Sequence, residues 1–378
     1  MLISRLIRDC AQNCFSSDLN QWATDEMTRL LFIAGQVALQ HCLHLDSVER
    51  HYKRTLMVDD GQPPMDTAEI IRQVKEDELL YGERSLLRPF GQITAFVCLN
   101  YESFPDPGLQ RTAALSLGKF MAVSQRYCQE HMPILQSLMA ESKDPVQRGN
   151  AIVAFADICH AHSQVADSYV SCLFSRLSDP DQTVKRTAMM ALTHLTLSGM
   201  IKVKKGELIG QIACLLDDDP NGDEQMRDLA RMFFLELAGR DPHAYQNMLP
   251  DIISHVCQLP GDGSRILRFV FEHAKGKDRL MDGLLEKICL RFRVIDDPNQ
   301  ALMTAKSLNA MPWGSVTQAV GVKMAERLMD AWPLYQDRLC EQPVMEVFKE
   351  IHSKMARFYP NAGDERYSAW EAKLLSAA

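Results

Sequence analysis

Asp144-Pro145-Val146-Gln147-Arg148-Gly149-Asn150-Ala151 is the stretch whose reading decides the fold. An Asp-Pro pair is followed by a basic residue, and three positions later by Ala. The same order recurs as Asp106-Pro107 with Arg111 and Ala114, as Asp179-Pro180 with Lys185 and Ala188, and as Asp219-Pro220 with Arg227 and Ala230. The basic positions 111, 148, 185 and 227 are 37, 37 and 42 residues apart. Two-helix repeats have periods of roughly 40–47 residues, and this spacing lies at or just under that range.

Each piece of the pattern has a local cause. Asp accepts hydrogen bonds from the free N–H groups of a helix start, and Pro suits the first turn. Ala is small enough to stand where two helices approach closely. Apolar residues follow each Ala at helical spacing: Leu117 and Met121, Ala154 and Ile158, Ala191 and Leu195, Phe233 and Leu237. A second stripe then reads Ile134-Leu135…Leu138, Val170…Leu173…Leu177, Ile209…Ile212…Leu215 and Ile252-Ile253…Val256. One helical hairpin cannot bury both stripes, so neighbouring hairpins must stack. The expected fold class is all-α: a HEAT-repeat α-solenoid of stacked antiparallel helical hairpins.

Working outward, residues 106–260 read as regular repeats and 1–105 as a helical segment preceding them. Helices are expected there over 25–43, 47–57, 67–80 and 89–99, with a loop at 57–66 around Pro63 and Pro64. Pro260-Gly261-Asp262-Gly263-Ser264 is the clearest break. Residues 261–360 read as less regular helical repeats over 265–273, 279–293, 298–309, 315–329 and 343–358. Asp241-Pro242 and Asp297-Pro298 are further helix starts, and 361–378 reads as a solvent-facing tail. No run alternates with the period of a strand.

Composition narrows the function classes. The chain has 378 residues, 46% hydrophobic and 24% charged, with a formal net charge of −8. A surface of that sign does not attract nucleic acid without a local basic patch. The eleven cysteines are scattered without a Cys-x-x-Cys pair, which points to free thiols in a reducing compartment and away from zinc. Arg5, Arg8 and Asp9 interrupt the first apolar stretch, arguing against a secretory signal. The uncharged run 187–201 is too short and polar to span a bilayer. The reading is of a soluble intracellular protein.

Catalytic patterns are missing. Walker, dinucleotide-binding and Gly-x-Ser-x-Gly motifs do not occur, so no catalytic residue, cofactor or small-molecule substrate is expected. His160 and His162 lie two apart on one helix and do not face each other, so no metal site is expected there. Asp157, in the apolar run 152–159, reads as a solvated or paired acid.

Two features are candidates for binding. Arg111, Arg148, Lys185 and Arg227 stand near the starts of equivalent helices, so stacking would align them along one edge. They either form a basic edge for DNA or an acidic partner, or each pairs with an Asp of its own or the neighbouring turn. Lys202-Val203-Lys204-Lys205-Gly206 falls between the two helices of the third repeat and so forms a projecting basic turn. Solenoids commonly bind partners through loops on one face.

At this turn the chain resembles a known family. Met200-Ile201-Lys202-Val203-Lys204-Lys205-Gly206, the repeat core Asp144–Ala151, the run from Asp179 to Leu195 and Leu249-Pro250-Asp251-Ile252-Ile253-Ser254 are similar to the condensin subunit 1 family of HEAT-repeat proteins. Gly35-Gln36-Val37-Ala38-Leu39, Glu78-Leu79-Leu80-Tyr81-Gly82 and Ser85-Leu86-Leu87…Phe90-Gly91 extend the resemblance, which covers about residues 25–295. The Lys-Gly turn looks closer to the condensin I type than to the condensin II type. Members of the family are several times longer, and this stretch resembles about their C-terminal third.

The resemblance implies a non-enzymatic scaffold that binds a kleisin subunit and an SMC ATPase head, and helps hold DNA during mitotic chromosome condensation in the nucleus. It assigns the contact with the SMC head to Lys204, Lys205 and Gly206. The acidic composition argues that DNA is held in the context of the complex rather than by this stretch alone. Two other readings compete: a HEAT or armadillo-type scaffold for nuclear transport or a phosphatase, and an α-helical enzyme. The first leaves the Lys-Gly turn and the Tyr81-Gly82 segment without a reason to co-occur, and the second has no site.

Overall fold

A computed structural model describes residues 21–56, 66–201, 206–216, 223–240, 242–259, 261–274, 278–359 and 364–376. Among them every regular element is helical and no strand forms. The chain divides into two compact units, Met1–Lys202 and Val203–Ala378.

The first unit is a two-layer stack. One layer holds α1 (Gln21–Leu56), α4 (Pro107–Val123), α6 (Pro145–Ala161) and α8 (Gln182–Leu197), each packed on the next. The other holds α3 (Arg88–Leu99), α5 (Gln125–Glu141) and the shorter α7 (Val170–Ser175). A further short helix, α2 (Asp66–Gln73), follows α1. Within the hairpins α3 packs on α4, and α5 on both α4 and α6. Hairpins stacked in this way are the HEAT-type architecture expected from the repeat.

The repeated Ala is buried in every repeat. Ala114, Ala151, Ala188 and Ala230 are all at most 1% exposed. Between α4 and α6 the approach is so close that a Cβ added to Gly118 would lie 2.5 Å from that of Ala154. Ser116 Oγ, also buried, donates to the Leu31 carbonyl of α1 at 2.8 Å.

The Asp-Pro rule holds in part. Asp106 caps α4 by accepting from Leu109 N at 2.7 Å, and Asp144 caps α6 by accepting from Val146 N at 3.1 Å, with Pro in the first turn of both. In the third repeat the cap is Asp181, which accepts from Thr183 N and Val184 N at 2.8 and 3.1 Å. Asp179 has left that role and turned its carboxylate inward. Asp219-Pro220 lies outside the described residues, and Asp223 accepts from Gln225 N at the next helix start. Arg148, Lys185 and Arg227 then share one register: the backbone N–H of each donates to the carbonyl of the cap residue, Asp144, Asp181 and Asp223.

The break expected near residues 44–46 is absent, because α1 runs unbroken for 36 residues. His44-Leu45-Asp46 carries no Gly or Pro, and Asp46 pairs with Lys75 instead of capping a new helix. The helix expected over 67–80 ends at Gln73 and passes into a π-helical turn, Val74–Glu78. The loop expected around Pro63 and Pro64 lies outside the described residues.

The second unit repeats the two-layer plan. One layer contains α9 (Gly206–Cys214), α11 (Pro242–Val256), α13 (Asp278–Arg291), α15 (Gln318–Asp330) and α17 (Glu365–Ser376). The other contains α10 (Glu224–Arg240), α12 (Ser264–Glu272), α14 (Pro298–Ala310) and α16 (Gln342–Met355). Asp297-Pro298 is a helix start as expected, with Asp297 accepting from Asn299 N. The expected solvent-facing end is corrected over Glu365–Ser376: these residues form a docked helix whose Tyr367, Trp370 and Leu374 are buried. Their spacing is that of one helical face, a stripe hidden in sequence by its charged neighbours.

Candidate partner-binding surface

The segment leading to the Lys-Gly turn is closed by its own chemistry. Helix α8 stops at Ser198, and Gly199 follows with φ +72°. Met200 N donates to Leu195 O and Gly199 N to Thr196 O, both at 3.0–3.1 Å. This is the Schellman arrangement, in which a left-handed residue lets the chain satisfy the last helical carbonyls. A Cβ at Gly199 would meet no neighbour, so the constraint is on the backbone. Ile201 is buried and anchors the chain just before the turn. Lys202, Lys204 and Lys205 lie outside the described residues, and Gly206 opens α9.

The four basic repeat residues separate by environment. Arg111 forks onto Asp144 with Nε–Oδ2 2.5 Å and Nη2–Oδ1 3.2 Å, its side chain still 42% exposed. Arg148 forks onto Asp179 with Nη2–Oδ1 2.7 Å and Nε–Oδ2 3.0 Å, and its Nη1 donates to Ser142 O at 2.8 Å. That pair is buried, with side chains 9% and 0% exposed. Arg111 and Arg148 thus each bind the Asp of the next repeat's Asp-Pro pair. Lys185 holds the equivalent, half-buried place on α8, while Arg227 lies in the second unit on α10.

Electrostatics follow from these contacts. The Arg111 fork holds the Asp144 carboxyl below its usual range against partial burial. Burial pushes Asp179 up, but the Arg148 hydrogen bond, the Asp181 N–H and the charges of Arg148 and Arg176 outweigh it, and the carboxyl ends below its usual range.

Sequence reasoning missed two clusters. Glu76, on the π-helical turn, sits over the start of α5: it accepts from Ser124 Oγ at 2.8 Å, Gln125 N at 2.7 Å and Arg126 N at 3.0 Å. Tyr81 continues the clasp, its hydroxyl donating to Glu130 at 2.6 Å beneath the Arg126 guanidinium. Glu, Tyr and Arg at these positions carry no local pattern that signals a clasp.

The second cluster borders a groove of about 550 Å³ between α1, α4 and α6, lined by Leu43, Leu115, Val153, Lys119, Asp157 and His160 among others. His160 does not pair with His162. It meets His194 of the next repeat, Nε2 to Nε2 at 2.9 Å, while His162 faces the backbone of Met121 and Ala122. Desolvation holds the Asp157 carboxyl above its usual range, and His160 and His194 offset only part of that rise. Asp157 is therefore electrically tied to this pair.

Among the described residues no three His, Cys, Asp or Glu side chains converge as a metal-binding set. Burial pushes the thiols of Cys98, Cys128, Cys159 and Cys289 up to about 12, which keeps them protonated and poorly nucleophilic. No described helix is long and apolar enough to cross a membrane.

Stacked hairpins and the ion pairs between repeats define a HEAT-type repeat protein. Residues 146–306 match the family described as non-SMC mitotic condensation complex subunit 1. Condensin complex subunit 1 of Saccharomyces cerevisiae is 33% identical over 76% of this chain and 27% of its own length. Its counterpart in Xenopus laevis is 29% identical over 94% of this chain and 28% of its own length. The condensin-1 complex subunit CAP-D2 of Arabidopsis thaliana is 26% identical over 75% and 20%. The chain belongs to the condensin complex subunit 1 family, and it spans about a quarter of the length of these relatives.

Proposed function

We propose that this chain is a non-catalytic scaffold within condensin that binds the kleisin subunit and an SMC ATPase head and supports mitotic chromosome condensation. The observation that carries the reading is the family match over residues 146–306, which runs through the repeat helices and across the Lys-Gly turn. DNA enters as a partner of the assembled complex on chromosomes, because the net charge of −8 opposes binding by the isolated chain.

Lys204, Lys205 and Gly206 are the proposed contact with the SMC head. Two adjacent Lys on an acidic protein favour an acidic or hydrogen-bond-accepting surface. Arg111 and Lys185, both in the first unit, are a secondary proposal for a basic edge. Arg148 is buried against Asp179, so it acts within the stack.

If the turn projects as its place in the sequence implies, Lys204→Asp with Lys205→Asp should change stability by no more than about 0.5 kcal/mol. Capture of the purified SMC head should weaken by about tenfold or more through like-charge repulsion. The ATPase rate of an SMC–kleisin complex should respond to the wild-type chain and not to this variant. Undiminished head capture by the folded variant would sink the site assignment. An ATPase rate indifferent to the wild-type chain would sink the scaffold reading.

A further inference from the structure

His160 and His194 are 34 residues apart, on the adjacent helices α6 and α8. Their Nε2 atoms are 2.9 Å apart and their ring centroids 5.0 Å apart. Both side chains are exposed, so burial does not force them together. Two neutral imidazoles at this distance share one proton, one ring donating and the other accepting. Once the donating ring shifts its proton to Nδ1, a cation that takes two nitrogen ligands can occupy its place.

We propose that His160 and His194 form a chelating site for a divalent transition-metal ion of the Ni²⁺, Cu²⁺ or Zn²⁺ class, clamping α6 to α8. Imidazole nitrogen suits these ions. Two nitrogens each about 2.0–2.1 Å from one ion stand about 2.9 Å apart in right-angled coordination, and about 3.3–3.4 Å apart in tetrahedral coordination. The observed separation meets the first arrangement and reaches the second with an opening of about half an ångström. Asp157, on α6 beside the pair and coupled to both rings, supplies negative charge that favours the cation. Lys119, which lines the same groove, is drawn aside: its Nζ donates to Gln36 at 3.1 Å and lies over the Phe32 ring. Since no third protein ligand converges among the described residues, water fills the remaining positions.

The test is calorimetric titration of the full 378-residue chain with Ni²⁺ alone and with Zn²⁺ alone, in a non-chelating buffer. The wild-type chain should bind one ion tightly, with a rise in Tm. His160→Gln and His194→Gln should each weaken that site at least tenfold, and Asp157→Asn severalfold. Exposed positions tolerate such changes, and circular dichroism and the metal-free Tm check that each variant folds. Should one His variant misfold, the other decides alone. Retention of the tight site in a folded His variant, or wild-type binding no tighter than that of the variants, overturns the proposal.

Discussion

Asp179→Ala is expected to destabilise the first unit by about 3–5 kcal/mol, the cost of removing one partner from a buried ion pair. The carboxylate is fully buried and is bound by Arg148 through two hydrogen bonds, with Arg176 3.4 Å away. Without it, the Arg148 guanidinium keeps its bond to Ser142 O but stays 9% exposed with its charge uncompensated. Asp144→Ala removes the equivalent partner of Arg111, whose side chain water already reaches. Its cost should be only about 1–2 kcal/mol, chiefly the lost helix cap. Arg148→Met combined with Asp179→Ala should recover much of the loss, because the stranded charge is gone. Urea denaturation of the wild type and these three variants measures this directly. Similar costs for Asp179→Ala and Asp144→Ala would refute the burial argument.

The same pair sets a direction with pH. The Asp179 carboxyl is held below its usual range in the folded chain. A depressed carboxyl contributes fully above its unfolded value, near about 3.9. Its contribution is lost as pH falls through the lower folded value, so the wild-type chain should lose stability in that acid window and Asp179→Ala should lose less.

Trp370→Ala is the second large effect, expected at about 3–5 kcal/mol in the second unit. Trp370 is 3% exposed, and its indole N–H donates to the Tyr335 hydroxyl at 2.9 Å. That hydroxyl in turn donates to Leu328 O at 3.0 Å, so one aromatic ties α17 to a buried chain of bonds. Truncation removes the ring contacts and the bond together. Leu375→Ala, at a side chain 63% exposed on the same helix, should stay within about 0.5 kcal/mol. Hydrogen exchange should show α17 losing protection in the Trp370 variant and keeping it in the Leu375 variant. Intact α17 protection after Trp370→Ala would contradict the docking described.

The repeat was legible because its signals are local. An Asp cap, a Pro in the first turn and an Ala at a close approach each act within one helix, and Asp106, Asp144 and Asp297 behave as their neighbours dictate. Asp179 was misread for the converse reason: its role depends on Arg148, 31 residues earlier. The His160–His194 pair and the Glu76 clasp depend likewise on distant residues brought together by stacking. Trp370 was hidden because Glu365, Arg366, Glu371 and Lys373 around it look like a solvated end. For the candidate site, the Lys-Gly turn was legible through family resemblance and repeat register. Gly199, whose positive φ stops α8, is a physical signal that the sequence displayed and that went unused.

The Arg–Asp forks have a mechanical consequence. Each joins one hairpin to the next, so peeling off the hairpin that carries Asp179 would strand Arg148 in the hairpin left behind. Treated as a row of coupled springs, the first unit has a stiff link at that junction, where extension must break a buried charge pair before any helix unwinds. The junction of Arg111 with Asp144, softened by water, is the compliant one. A pulling experiment on the first unit should therefore yield at the Arg111 junction before the Arg148 junction.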